Sequence, residues 1–245
     1  MKKNIYIILL IIISISCSKP SECIEETGNI VSKEFMVSGF DKIKVYKGIS
    51  VVITQGNIQK IEVKTGENLM ADIEVKVEDN FLILKDNTSC NWVREYGQTI
   101  VYVTTPTLTD IYCRTEKTIS SSGILTFPII RLNSIDLTDG PATGDFNLQI
   151  DNNQLVIETN NVANFYISGK TKDFIANFYE GNGRIEAANL LADNIFVFHR
   201  GSNDMILNPL RKISGKMVST GNIICKNRNV INDVQELFQG RVLFE

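Results

Sequence analysis

Residues 178–204, FYEGNGRIEAANLLADNIFVFHRGSND, decide the fold of this chain. Gly181-Asn182-Gly183 could belong to a phosphate-binding loop, but such a loop follows a strand and opens a helix. The next residues, Arg184-Ile185-Glu186-Ala187, instead match Asp204-Met205-Ile206-Leu207 one repeat further along. The stretch is therefore predicted to contain a corner of a repetitive structure rather than a ligand-binding loop.

Short segments of alternating hydrophobicity recur on both sides of this stretch, in two interleaved series that each have a step of roughly twenty residues. The first series is IYC at 111, IDL at 135, LVI at 155, FIANF at 174, IFVF at 195 and MVS at 217. The second is LTF at 125, FNL at 146, FYI at 165, IEA at 185, MIL at 205 and IIC at 223. A strand unit of this size cannot bury its own apolar face, so its repetition predicts coils stacked as a solenoid.

Alternation within the strands assigns side chains to the interior. The predicted inward columns are Ile111, Ile135, Leu155, Phe174 and Ile195 in the first series, and Phe127, Leu148, Ile167, Ala187, Leu207 and Cys225 in the second. On the outside, Val156, Ile175 and Phe196 are expected to adjoin one another. This apolar stripe is either covered by the N-terminal region or a loop, the commoner outcome on monomers, or it is a surface for a partner.

The first half of the chain alternates apolar and polar residues over longer runs, with turn signals at Lys47-Gly48, Gln55-Gly56 and Asp79-Asn80. Residues 34–108 are therefore predicted to form an antiparallel-like β region that caps the solenoid of residues 109–245, because an open end would expose edge strands. The predicted fold class is all-β: a parallel β-helix or β-solenoid of about six two-strand coils, preceded by this N-terminal cap.

The N-terminus has the pattern of a secretory signal, with Lys2-Lys3, an apolar run over residues 5–13, and Cys17 where the run stops. The pattern resembles a bacterial lipobox, in which that cysteine receives the lipid. Residues 1–16 are interpreted as the signal peptide, and residues 17–33 as a polar tether. The alternative is an ordinary cleaved signal with an incidental cysteine. Acylation of Cys17 would hold the protein at a membrane, and an outer-membrane lipoprotein facing the periplasm or the exterior is expected.

The five cysteines divide by their predicted places. Cys113 and Cys225 fall in the first and the last coil, too far apart for a disulfide, and are interpreted as buried thiols. Cys23 and Cys90 are the candidates for a disulfide that pins the tether to the first β region, and two free cysteines are the alternative.

No pattern of residues indicates catalysis, a cofactor or a metal site. The single histidine, His199, is interpreted as a solvated turn residue. The aspartates at 136, 139, 145 and 151 lie around turns, where Asp favours local backbone bonding, although Ca²⁺ or sugar binding is the alternative. With 25 basic and 28 acidic residues and no basic run, the chain has no electrostatic signature of nucleic-acid binding.

Three stretches followed by the glycine-punctuated repeats resemble the head GIN domain family of auto-transporter adhesins and Bacteroidota lipoproteins. They are FDKIKVYKGISVVITQG (40–56), VKTGENLMADIEVKVEDNFLILKD (63–86) and NWVREYGQTIVYVTTPTLTDI (91–111), and the resemblance spans about residues 35–225. It implies a β-helical surface protein.

The predicted function is that of an exported lipoprotein whose adhesin-like head presents a non-catalytic surface to a polysaccharide, matrix or protein partner. Two alternatives remain: a polysaccharide-cleaving enzyme, which would need a base and carboxylates that converge on one face, and a purely structural envelope protein.

Overall fold

The structure, a computed structural model, describes residues 27–88, 99–136 and 139–245. Seventeen β-strands and one short 3₁₀ helix, Met70–Asp72, make up the regular structure of this part. The strands are β1 Ile30–Phe35, β2 Lys42–Tyr46, β3 Ile49–Gln55, β4 Lys60–Gly66, β5 Ile73–Glu78, β6 Phe81–Asp86, β7 Thr99–Thr105, β8 Asp110–Arg114, β9 Ile119–Leu125, β10 Ile129–Ser134, β11 Phe146–Thr159, β12 Asn164–Phe178, β13 Arg184–His199, β14 Met205–Met217, β15 Ile223–Cys225, β16 Ile231–Glu236 and β17 Val242–Phe244. Within these ranges, no helix is long and apolar enough to cross a bilayer.

The strands form one continuous hydrogen-bonded sheet of seventeen strands, which folds into two walls, named sheet I and sheet II, around one core. Sheet I runs β5-β6-β2-β8-β10, continues through the second halves of β11 to β14 and ends at β16. Sheet II runs β1-β4-β7-β3-β9, continues through the first halves of the same long strands and ends at β15 and β17. The long strands pass from sheet II to sheet I, so each contributes to two walls of the parallel solenoid. The predicted stacked-coil fold is confirmed.

The N-terminal region is integrated into this stack more deeply than the expected antiparallel cap. Strand β2 pairs in parallel with both β6 and β8, and β3 pairs in parallel with both β7 and β9. Their inward residues, including Ile43 and Val51, are fully buried because a coil packs on either side. Among the described strands, the pairs β1–β4, β4–β7 and β5–β6 are the antiparallel ones, and they lie at that end of the stack.

The interior is a series of columns in which equivalent residues of successive coils stack. One column joins neighbours in strand register and is completely buried: Leu82, Ile43, Ile111, Leu132, Ile157, Ala176 and Val197. The predicted second-series column, from Phe127 to Cys225, is also buried throughout. Ile135 was assigned inward wrongly: Leu132 is the partner of Ile111, and Ile135 lies beyond the end of β10 and is only partly buried.

The corner between β10 and β11 is held from inside by Asn161. Its amide nitrogen donates hydrogen bonds of 2.6 Å to the carbonyl oxygens of Ser134 and Ala142, and its amide oxygen accepts from the Ala163 N–H at 3.0 Å. The side chain is buried, so these bonds replace water as its partners. The loop that follows β10 is thereby fixed against the next coil.

Candidate binding surface

Val156, Ile175 and Phe196 are neighbours in the strand register of sheet I, as predicted. Val156 is 6 % exposed, Ile175 is partly buried and Phe196 is 48 % exposed, so the stripe rises from a covered end to an open one. In the adjacent coils the same column holds Arg131 and Ser214, which bound the stripe with polar groups. The described part of residues 34–108 extends the stack at its end and does not form coils beside this stripe.

Two further aromatic side chains lie next to the stripe on the same face. The rings of Tyr179 and Phe198 are 6.1 Å apart, and the Tyr179 hydroxyl donates a 3.0 Å hydrogen bond to a Glu158 carboxylate oxygen. Partial burial, together with Glu158, raises the pKa of Tyr179, so the phenol keeps its proton and remains a donor. The face therefore combines apolar rings with polar groups of fixed orientation.

The polar side of this face is also ordered by contacts between coils. The side-chain amide of Asn194 donates to Asp173 at 2.9 Å, and these two residues are partners in the register. On the adjoining rung Lys212 forms an ion pair with Asp233 at 2.8 Å. These contacts join side chains of neighbouring coils. The polar groups are therefore already oriented, and they lose little conformational freedom when a partner binds.

A separate cleft of about 390 Å³ lies where several corners meet. Its walls come from the ends of β2 and β6 and from the loop after β10: Tyr46, Lys47, Lys85, Asp86, Asn87, Asp139, Gly140 and Pro141. Its volume is in the range of sites that hold small molecules. Whether the cleft could be a catalytic site depends on the protonation and the partners of its charged and phenolic side chains.

Several polar groups of this cleft are already engaged by neighbouring side chains. The guanidinium of Arg114, 3 % exposed, donates to Asp139 at 2.8 Å, and the Lys85 ammonium lies 4.6 Å from the centre of the Tyr46 ring. Burial, and then the Asp139 carboxylate, raise the pKa of Tyr46, which disfavours the phenolate that a tyrosine base would require. The cleft thus offers hydrogen bonds to a small polar ligand, while Asp139 is held by Arg114 and Tyr46 keeps its proton.

The aspartates considered for Ca²⁺ do not converge. Asp139 pairs with Arg114, Asp145 accepts hydrogen bonds from the Asn164 backbone and side chain, and Asp151 pairs with Lys170 at 3.1 Å. Among the residues that the structure describes, no group of three or more His, Cys, Asp or Glu side chains could hold a metal ion.

His199 is not the solvated turn residue that its position beside Gly201 suggested. It is fully buried, stands in the column with Phe178 and Met217, and its ring meets the Phe178 ring edge-on at 6.0 Å. Neither ring nitrogen has a hydrogen-bond partner. Burial lowers the pKa of His199 to about 4, although the nearby Asn203 backbone and Asp204 carboxylate act in the opposite direction. The histidine is a neutral core residue.

Cys113 and Cys225 are both buried and free, as expected. Burial raises the pKa of each thiol to about 11, so neither is a reactive thiolate near neutral pH. The lipidation candidate Cys17 and the disulfide candidates Cys23 and Cys90 lie outside the described residues.

A family model described as "Putative auto-transporter adhesin, head GIN domain" matches residues 39–228. The chain belongs to the head GIN domain family. The match covers the stripe, the corner cleft and every coil from β2 to β15, so these features are parts of the GIN domain itself. A comparison with curated proteins gives no match in sequence.

Solved structures share the fold of this GIN domain at low sequence identity. An adhesin from Bacteroides fragilis is 20 % identical with a TM-score of 0.78. The match covers 90 % of this chain and 100 % of the adhesin chain. A lipid-binding protein from Parabacteroides distasonis is 15 % identical with a TM-score of 0.62, covering 89 % and 99 %. An adhesin from Parabacteroides merdae is 17 % identical with a TM-score of 0.59, covering 90 % and 98 %. All three function names are qualified as putative.

Sequence reasoning identified the stripe but missed its aromatic neighbours and the cleft. Tyr179 follows the last residue of β12 and was given no role from the sequence, whereas the structure brings it close to Phe198 of the next coil. The cleft could not be read from local sequence because its walls come from three distant segments. His199 did carry a signal: alternation from the inward Ile195 and Val197 also places it inward.

Proposed function

We propose that this GIN domain is a non-catalytic binding head whose outer face on sheet I holds a polysaccharide, matrix or protein partner. The observation that carries the proposal is Phe196, a large aromatic side chain left 48 % exposed at the open end of a register-aligned apolar stripe. Exposed aromatic side chains on rigid surfaces are frequent anchors of binding sites. Tyr179 and Phe198 enlarge the anchor, and Asp173, Asn194 and Glu158 supply hydrogen-bonding groups around it.

The family and its relatives support a binding role in the cell envelope. The family description names an auto-transporter adhesin, and the names of the solved relatives refer to adhesion or to lipid binding. We propose that residues 1–16 are removed on export, and that lipid on Cys17 and a tether up to about residue 33 attach the head to the outer membrane. Strand β1 begins at Ile30, so the last part of that segment is already ordered against β4.

We propose a non-catalytic role because of how the candidate acid–base groups of the cleft are arranged. In the cleft, Asp139 is neutralised by the buried Arg114, and the pKa of Tyr46 is raised. A polysaccharide-cleaving site needs a base and carboxylates that are free to act on the same substrate atoms. The engagement of Asp139 by Arg114 and the raised pKa of Tyr46 therefore support the non-catalytic role that we propose.

A panel of immobilised acidic polysaccharides, neutral polysaccharides and matrix proteins tests the proposal directly. We expect the purified chain to be retained on at least one of them, and the length of the soluble form of that polymer to stay constant on prolonged incubation. Depolymerisation that disappears in an Asp139→Asn variant would replace the binding head with an enzyme. Retention on none of the panel would leave the purely structural alternative.

The anchor requires its own experiment because it depends on residues outside the described structure. We expect wild-type protein to fractionate with membranes and a Cys17→Ala variant to become soluble. Equal membrane fractionation of the two forms would contradict the lipid anchor without bearing on the binding face.

A further inference from the structure

The outer wall of sheet I carries lysines and aromatic rings side by side on β6, β2 and β8. Ile43 and Val45 of β2 and Leu82 and Leu84 of β6 are fully buried, so the residues that alternate with them face outward. We name six of the outward side chains the cationic track: Lys42, Lys44 and Tyr46 of β2, Phe81 and Lys85 of β6, and Tyr112 of β8. All six are partly exposed, so a ligand on this wall can reach them.

Aromatic rings hold two of these lysines in defined positions. The Lys42 ammonium lies 5.2 Å from the centre of the Phe81 ring, and the Lys44 ammonium lies 5.1 Å from the same centre. Lys44 also lies 5.9 Å from the centre of the Tyr112 ring, which meets the Phe81 ring edge-on at 5.4 Å. Ring faces attract ammonium groups, so both cations are already oriented before a ligand arrives.

These two ammonium groups have no carboxylate partner within the described part of the chain. Asp110, the register partner of Lys42 on β8, forms its ion pair with Arg131 at 3.1 Å. The two glutamates of β5 form theirs with Lys76, at 3.1 and 3.2 Å. The like charges of Lys42 and Lys44 beside one ring repel each other, and an anionic group bound to both would reduce that repulsion. The track therefore has an excess of positive charge on a chain whose net charge is −3.

The cationic track leads into the corner cleft. Lys85 lies over the ring of Tyr46 at 4.6 Å, and both residues also line the cleft. The cleft adds the exposed side chains of Lys47 and Asn87 and the carboxylate of Asp139. An aromatic ring beside ammonium, amide and carboxylate groups matches the apolar face and the hydroxyl groups of a sugar, and a volume of about 390 Å³ admits one.

We propose that the cationic track binds an anionic polysaccharide, whose acidic groups lie against Lys42 and Lys44 while a neighbouring sugar occupies the cleft. Outward residues of a strand follow one another at about 7 Å, so a polymer laid along β2 meets Lys42, Lys44 and then Lys85 over Tyr46. The site is separate from the aromatic stripe, because β10 lies between β8 and β11. The polysaccharide class rests on the proposed function, whereas the second site and the charge of its ligand do not.

The strand pairing and the burial of the rings argue against two other classes of partner. Strand β2 pairs with β6 on one side and with β8 on the other, so it has no free edge to which an extended peptide could add. Phe81 and Tyr112 are partly buried beneath the lysines, so they do not insert into a bilayer as the apolar side chains of a membrane-binding surface do. Attraction to anionic lipid alone uses clusters of about four to eight basic residues, more than the lysines of the track.

Beads that carry the full chain test the proposal against fluorescent polygalacturonate and chondroitin sulfate. We expect at least one of the two polymers to bind. Fully methyl-esterified polygalacturonate, in which the carboxylates are masked, should bind at least about tenfold more weakly than polygalacturonate. Raising the salt concentration from about 0.05 to 0.5 M should weaken binding because salt screens exposed charges. Vesicles of phosphatidylcholine with phosphatidylserine provide the membrane arm of the test.

Two matched double variants locate the site. Lys42→Gln with Lys44→Gln should raise the dissociation constant at least about tenfold, whereas Lys60→Gln with Lys170→Gln should leave it unchanged. Both doubles remove two positive charges, and Lys60 and Lys170 form ion pairs away from the track. Lys42→Arg with Lys44→Arg keeps the charge and should bind as the wild type does, which separates lost charge from lost folding. Any acyl chain on Cys17 is common to all variants, so it does not contribute to the differences.

Binding of neither polymer, or equal weakening by the two glutamine doubles, would overturn the proposal. Binding of the anionic vesicles but not of the polymers would overturn it as well and assign the track to a membrane surface. Phe196→Ser distinguishes this site from the proposed function, because it leaves the track intact. Loss of polymer binding in Phe196→Ser, with full binding in the Lys42 and Lys44 glutamine double, would support the aromatic stripe and overturn the track. The converse result would support the track.

Discussion

Gly181 stacks directly on Asn161, its counterpart at the corner of the preceding coil. A Cβ atom on Gly181 would lie 2.2 Å from the Asn161 carbonyl oxygen, and the Gly181 backbone has a φ of +92°. The Asn161 carbonyl oxygen in turn accepts hydrogen bonds from the N–H groups of Asn182 and Gly183. The glycine-rich stretch that resembled a phosphate-binding loop is therefore a corner in which backbone packs on backbone.

Replacing Gly181 by alanine should destabilise the chain through both strain and overlap. Gly123 separates the two effects because its φ is +86° and a Cβ there would meet no atom within 4 Å. We expect Gly123→Ala to cost about 1–2 kcal/mol of unfolding free energy from backbone strain alone. Gly181→Ala should cost more, at least about 3 kcal/mol, because the backbone must also move. Urea unfolding measures both, and equal losses would contradict this account of the corner.

The buried His199 should make stability depend on pH below neutrality. Its folded pKa of about 4 lies below the ordinary 6.5, so the unfolded chain binds the proton more readily between these values. The contribution of neutral His199 is present above about pH 6.5 and is lost as the pH falls toward 4. Over that interval it amounts to about 3 kcal/mol at most.

A His199→Met variant isolates this contribution because methionine cannot be protonated. Urea midpoints measured from pH 7 to pH 4 should fall more steeply for the wild type than for the variant. Parallel pH profiles of the wild type and the variant would contradict the lowered pKa of His199.

Cys113 and Cys225 should resist thiol reagents while the chain is folded. Both are fully buried, and the raised pKa values of about 11 leave little thiolate at pH 8. Peptide mapping after treatment with a maleimide should find both unmodified in buffer and both modified in denaturant. Rapid modification of either one in buffer would mean that its coil opens locally.

Alternation along the chain was sufficient to predict the solenoid and most of its core, because side chains in a strand point to opposite faces with a period of two. It was insufficient for Ile135, since β10 ends at Ser134 and a long corner follows. It also could not reveal that β2 lies between β6 and β8. Alternation is the same for parallel and antiparallel strands, and the order of coils in space differs here from their order in the chain.

The same limits apply to the candidate surface. The stripe was predictable because Val156, Ile175 and Phe196 occupy equivalent positions of successive repeats. Their exposure was not, since it depends on neighbours such as Arg131 that the register brings alongside Val156.

The central claim, that the aromatic face of sheet I is the binding surface, is tested most directly by attachment under flow. Beads carrying the wild-type chain, Phe196→Ser or Leu191→Ser would be passed over the polysaccharide or matrix protein that retains the chain. Leu191 is the control because it lies on the same strand, is 45 % exposed and stands outside the stripe. We predict that Phe196→Ser lowers attachment at least about tenfold, as expected for loss of an aromatic anchor, and that Leu191→Ser leaves it unchanged. Equal attachment of the wild type and Phe196→Ser would contradict the claim.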